Sequence, residues 1–168
     1  MDILTIMILT THVVIAAALT KPLAAAYPAL VFAVSVASHY AADAVPHWHY
    51  HTRTIIKTKD PTKRRWQGNT RMHIADMLTF ALDAGVGIAA VYLMARPATT
   101  QEWLWLAAVA SGSILPDFLQ GLYMAGAKFL RSHQIAHHRI HTKILLDAYP
   151  WIGIPFQAAI AAVALFFI

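Results

Sequence analysis

Five stretches of this chain, residues 3–20, 23–42, 73–95, 103–123 and 149–168, carry almost no charge. Each approaches the ~20 residues that take an α-helix across a bilayer. Few folds are open to such a chain, because in hydrocarbon every backbone polar group must be satisfied internally, and helices do this within one segment. The prediction is an all-α integral membrane bundle, a single domain over 1–168 with about five transmembrane helices. Composition agrees: 58% of residues are hydrophobic and only 12% charged, against about a quarter charged in soluble domains. The first stretch has no basic residues ahead of it and outruns the apolar part of a secretory signal, so it is read as retained.

Basic residues are distributed unevenly. Arg53, Lys57, Lys59, Lys63, Arg64, Arg65 and Arg71 follow the second stretch, and Lys128, Arg131, Arg139 and Lys143 follow the fourth, whereas the other side holds only Lys21 and Arg96. Positive residues near span ends stay cytoplasmic, which predicts a cytoplasmic N-terminus and an external C-terminus. Two cytoplasmic segments result. The basic loop 46–72 is broken by the turn-like Asp60-Pro61-Thr62, and segment 125–147 alternates apolar and basic residues as an amphipathic interfacial helix does. Basic residues flanking spans attract anionic lipid head groups at about 1 kcal/mol each. Membrane lipids are therefore the expected partners and nucleic acid is not; no protein partner is indicated.

Within the apolar stretches sit residues that hydrocarbon tolerates poorly: His12, His39, Asp43, Asp83 and Asp117. Ionisable groups at such positions mark function by default. At ~1.5 Å per residue, His12 and Asp83 lie roughly 15 Å from the cytoplasmic ends of their spans, and His39 roughly 10 Å. Asp117 lies near the cytoplasmic end of its own span, so all of them fall in the cytoplasmic half. His39 and Asp43 are four apart and share one helix face, and Pro46 ends that helix. Past it, His47, Trp48, His49, Tyr50 and His51 are placed to line an entrance. Asp83 needs a cation, a partner histidine or a proton, and Gly85 and Gly87 nearby would let another helix approach. Pro116, just before Asp117, frees a backbone carbonyl to face a cavity or a neighbour. Asp76, in the first turn of its helix, is read as a dipole partner outside the site.

The run from Ser132 to Thr142 contains His133, His137, His138 and His141. Steps of four put His133, His137 and His141 on one helical stripe, and His138 and His141 also share a face. With no cysteine in the chain, any metal rests on nitrogen and oxygen.

Thr11-His12-Val13-Val14, the stretch from Ser38 to His47, Leu115-Pro116-Asp117 and His138-Arg139-Ile140-His141 resemble motifs of the small bacterial membrane-bound, metal-dependent hydrolases. Leu119 stands where that family's L-P-D-x-D has its second aspartate. The resemblance implies location in the bacterial inner membrane and a metal centre on His12, His39, Asp43, Asp117, His138 and His141, to which the histidine stripe adds His137. Such ligands suit a divalent ion, zinc first, with manganese or iron as alternatives. A site of this kind with an open position lowers the pKa of bound water towards 7. The expected activity is hydrolysis of a lipid-like phosphoester or acyl group at the cytoplasmic leaflet by a metal-bound hydroxide, with Asp83 and His47 as catalytic residues. Two other functions fit the residues. His133-x-x-x-His137-His138 resembles one histidine box of membrane di-iron desaturases and hydroxylases, and acids with imidazoles inside apolar helices suit a proton or metal-ion transporter or a subunit of a membrane complex.

Overall fold

The computed structural model describes residues 5–7, 9–25, 27–56, 58–144 and 146–168. The start of the first predicted span, Lys57, and residue 145 of the histidine-rich segment lie outside them. The described residues are predominantly helical, with α1 (Leu9–Thr20), α2 (Pro28–Asp43), α3 (Thr70–Ala95), α4 (Thr100–Met124), α5 (Arg131–Ile140) and α6 (Pro150–Phe166). Prolines open α2 and α6 at the position where a missing N–H costs nothing. Asn69 caps α3 by accepting from the Met72 amide at 3.0 Å. A reciprocal capping box joins Thr99 and Glu102 at the start of α4.

Of the five predicted spans, α3 alone among the described residues is both long and apolar enough to cross a membrane. The apolar α1, even with the 3-10 turn that follows it, and α6 are shorter. The first span differs most from expectation. Thr5–Met7 is strand β1 rather than helix, and it pairs antiparallel with β2 (His49–His51), Met7 opposite His49. A second small hairpin joins β3 (Ile55–Ile56) to β4 (Arg65–Trp66). The turn expected at Asp60 is present, its carboxylate accepting from the amide and hydroxyl of Thr62 at 2.9 and 2.7 Å. Loop 46–72 is therefore folded. Asp76 ties it to α3 by accepting from the backbone amides of Arg53 and Thr54, both at 2.9 Å.

Helix α1 is central, packing against α2, α3, α4 and α6 around Val13, Val14, Val31, Val91, Trp105 and Val109. Two glycines set the closest approaches. A Cβ on Gly87 of α3 would lie 2.8 Å from the Thr10 Cα, and one on Gly112 of α4 would lie 2.7 Å from the Phe32 carbonyl of α2. Gly85, the other glycine expected to receive a helix, faces open space.

Several polar side chains share the interior with the apolar core, and large apolar side chains lie outside. His12, Ser35, His39 and Gln134 are fully buried, whereas Leu82, Trp151, Phe129 and Phe166 are 69–85% exposed. On helix α3, Ile74, Leu78, Leu82, Val86 and Leu93 face outward, and Asp76, Gly87 and Val91 are buried.

Candidate metal centre

Four helices bring acids and imidazoles together at the core of the bundle. The four-residue step on α2 puts His39 Nε2 3.3 Å from the Asp43 carboxylate. From α1, His12 Nε2 lies 3.3 Å from the other oxygen of the same group, its ring stacked on His39 with centroids 4.0 Å apart. From α5, His137 Nε2 lies 2.7 Å from Asp43 Oδ2. From α4, Asp117 Oδ1 stands 3.7 Å from the Nε2 atoms of both His39 and His137.

The bare glycine 112 makes this geometry possible. Because α2 and α4 touch there, the His39 Nδ1–H donates to the Ser113 carbonyl at 2.7 Å, which fixes the tautomer and leaves the Nε2 lone pair facing the carboxylates. Helix α5 is held by its own polar contacts: Gln134 donates to the Pro61 carbonyl at 3.1 Å, and the Gln120 amide reaches His137 Nδ1 at 3.5 Å.

The donors fit a metal ion. His12 Nδ1 and Nε2 and His39 Nε2 are buried without a hydrogen-bond partner among the described residues, a state that ordinarily costs about 1–3 kcal/mol per group. Metal–nitrogen bonds of about 2.0–2.1 Å in a tetrahedron put neighbouring ligand atoms about 3.3 Å apart. The 3.3 Å separations of Asp43 from His12 and His39 match that value, the 3.7 Å separations from Asp117 exceed it and the 2.7 Å between His137 and Asp43 falls below it. His12, His39 and Asp43 form one group whose ligand atoms lie within 4.8 Å of each other, and His39, Asp117 and His137 form another.

No family model, curated protein or solved structure matches the chain. The site is therefore read from its own geometry.

Four expected site residues, His47, Asp83, His138 and His141, lie outside this cluster. His138 is turned one step around α5 from His137, and burial followed by the nearby Arg64 and Lys143 charges pushes its pKa down to about 4. His141 lies past the end of α5, with non-helical backbone, so the helical stripe stops at His137. His141 instead joins His47 and His49, whose ligand atoms again fall within 4.8 Å of its own. His49 had been assigned only to an entrance; its signal was the alternation His47-x-His49, which puts both rings on one side of extended chain.

Asp83 shares the depth of the cluster but belongs to none of these groups. Its carboxylate accepts from the amides of Leu9 and Thr10 and, at 2.7 Å, from the Thr10 hydroxyl. It caps the start of α1, where exposed N–H groups and the helix dipole favour a carboxylate. Asp83→Ala is expected to destabilise the fold by about 0.5–2 kcal/mol and to leave metal content unchanged. Thermal unfolding with elemental analysis checks this; lost turnover at an unchanged melting temperature would restore Asp83 as a catalytic base.

Proposed function

We propose that this chain is an integral membrane metal-dependent hydrolase that binds a divalent ion through His12, His39, Asp43, Asp117 and His137 and cleaves an ester or phosphoester of a lipid-like substrate. The main support is the convergence of buried, unpartnered imidazole nitrogens on two carboxylates, which is costly in apolar surroundings unless a cation or a proton is bound between them. Zinc heads the candidates because the donors are nitrogen and oxygen without thiolate, with manganese and iron behind it. The bound ion would supply Lewis acidity and a water of lowered pKa. Around it, Ser113 fixes the His39 ring, and the two oxygens of Asp43 lie 3.3 Å from His12 Nε2 and 2.7 Å from His137 Nε2.

Membrane residence is part of the proposal, with five helices crossing and the N-terminus cytoplasmic in the bacterial inner membrane. It rests on the outward-facing apolar side chains, which water would penalise as an extended patch, and on the basic asymmetry of the loops. The motif resemblance to membrane-bound hydrolases points the same way. A lipid-like substrate is supported by two apolar clefts, of ≈ 420 and ≈ 230 Å³, that share Ile15, Leu19 and Ile160 between α1 and α6. The second continues to His47, so an acyl chain lying in the clefts would bring its polar end towards the histidines.

Protein purified in detergent is expected to carry tightly held divalent metal, and to hydrolyse lipid esters or phosphoesters without dioxygen. Prolonged chelation should abolish that activity, and zinc or manganese should restore it. Turnover that requires iron and dioxygen would make the chain an oxidoreductase instead. Ion flux into liposomes, with no hydrolysis, would make it a transporter.

A further inference from the structure

We propose that His47, His49 and His141 form a second metal site, distinct from the Asp43 cluster, that takes a zinc-class divalent ion through three Nε2 atoms. The three rings are anchored alike. His47 Nδ1–H donates to the Val45 carbonyl at 2.6 Å, His49 Nδ1–H to the Asp147 carboxylate at 2.7 Å, and His141 Nδ1–H to the Thr142 carbonyl at 3.1 Å. An acceptor at Nδ1 puts the proton there and the lone pair on Nε2, which is how outer-shell partners set up histidine ligands for a metal. These lone pairs converge: His49 Nε2 and His141 Nε2 stand 3.4 Å apart, close to the ~3.3 Å edge of a tetrahedral nitrogen site. His47 Nε2 is buried with no hydrogen-bond partner among the described residues.

A plain hydrogen bond between His49 and His141 would need a proton on one Nε2, and so the loss of an Nδ1–H from the Asp147 or Thr142 contact. A cation satisfies all three nitrogens without breaking any anchor.

The supporting chain is tied down from several directions. The Thr142 amide donates to the Asp43 carbonyl at 2.8 Å and the Leu146 amide to the His47 carbonyl at 3.1 Å, which lays segment 141–147 beside 43–49. His49 itself belongs to β2, paired with β1. Gly153 of α6 packs so tightly there that a Cβ would lie 2.5 Å from the Trp48 Cβ and 2.9 Å from that of Leu146.

Three neutral imidazoles with no carboxylate among the ligands select zinc-class ions over magnesium or calcium. Three protein ligands also leave a fourth position, as in catalytic rather than structural zinc sites. His47 lines the ≈ 230 Å³ cleft together with Gln157, whose side-chain N–H, buried without a partner among the described residues, is available to donate to a carbonyl or phosphoryl oxygen. The two sites share no ligand; the His137 and His141 rings are 6.4 Å apart.

The test is metal stoichiometry on the full chain in detergent, loaded with zinc and then freed of excess. Two zinc ions per chain are expected, falling to one in His49→Gln and to one in Asp43→Asn. Asp147→Asn keeps every ligand but removes the negative charge behind the acceptor of the His49 Nδ1–H, so it should weaken the second ion 10–100-fold and leave the first untouched. A ratio unchanged by both His49→Gln and Asp147→Asn would overturn the second site. A single ion lost in His49→Gln but retained in Asp43→Asn would sustain the second site and overturn the Asp43 centre. Since His49→Gln can also disturb folding, cobalt(II) is loaded in parallel: four-coordinate ligand-field bands that persist in Asp43→Asn support the site, and their absence there counts against it.

Discussion

Asp43→Asn is expected to weaken metal binding at the buried cluster about a hundredfold and to abolish hydrolysis with it. The carboxylate serves three imidazoles at once, His12 on one oxygen and His39 with His137 on the other. Apparent zinc-binding free energies of about 10–16 kcal/mol, spread over five ligands, come to roughly 2–3 kcal/mol per ligand. At 1.4 kcal/mol per tenfold, that is about a hundredfold in affinity. Asparagine keeps the volume but loses the charge, and its amide offers one acceptor oxygen instead of two. Asp117→Asn should cost less, since Asp117 is 15% exposed and meets its imidazoles only at 3.7 Å. Competition with a chelator of known affinity measures both variants. Equal, small losses in the two would show that Asp43 is a hydrogen-bonded core acid and not a ligand.

The centre of this cluster was legible because it depends on local periodicity. A four-residue step joins His39 to Asp43 wherever that helix lies, and common depth adds His12 and Asp117. Rotation of α5 was not legible. His137 and His138 are adjacent, and their separate fates follow from Gln134 reaching Pro61 across a folded loop, a contact between residues far apart in sequence. The same limit applies to Asp83. Its depth, counted along the third span, matches that of His12 in a first span beginning near residue 3, but the chain pairs Thr5–Met7 with His49–His51 and begins α1 at Leu9. That puts α1's first amides, and not an imidazole, in front of the carboxylate. An apolar run rich in β-branched residues suits strand as well as helix, and only the distant partner strand decides. Three histidines from two remote segments, 47–49 and 141, converge for the same nonlocal reason.

Gly112→Val should show that the cluster depends on how closely two helices approach. A Cβ at residue 112 would lie 2.7 Å from the Phe32 carbonyl and 2.8 Å from the Ser35 Cβ, and a backbone carbonyl cannot rotate aside as a side-chain tip can. Helices α2 and α4 must therefore separate. Overpacking of this kind costs about 1–3 kcal/mol in stability, but the functional effect is expected to be larger. Separation by about 1 Å would stretch the His39–Ser113 hydrogen bond from 2.7 Å past useful range, release the ring, and carry His39 away from Asp117. Metal affinity is expected to fall at least tenfold, as it does when a ligand's outer partner is lost, although residue 112 touches no metal ligand directly. Gly85→Val is the matched control, because a Cβ there meets nothing within 4 Å; both its melting temperature and its metal affinity should stay close to wild type. If Gly112→Val lowers stability yet binds metal as wild type does, the ligands are held by the rigidity of α2 alone. The Ser113 contact would then be a consequence of packing with no part in orienting the His39 ring.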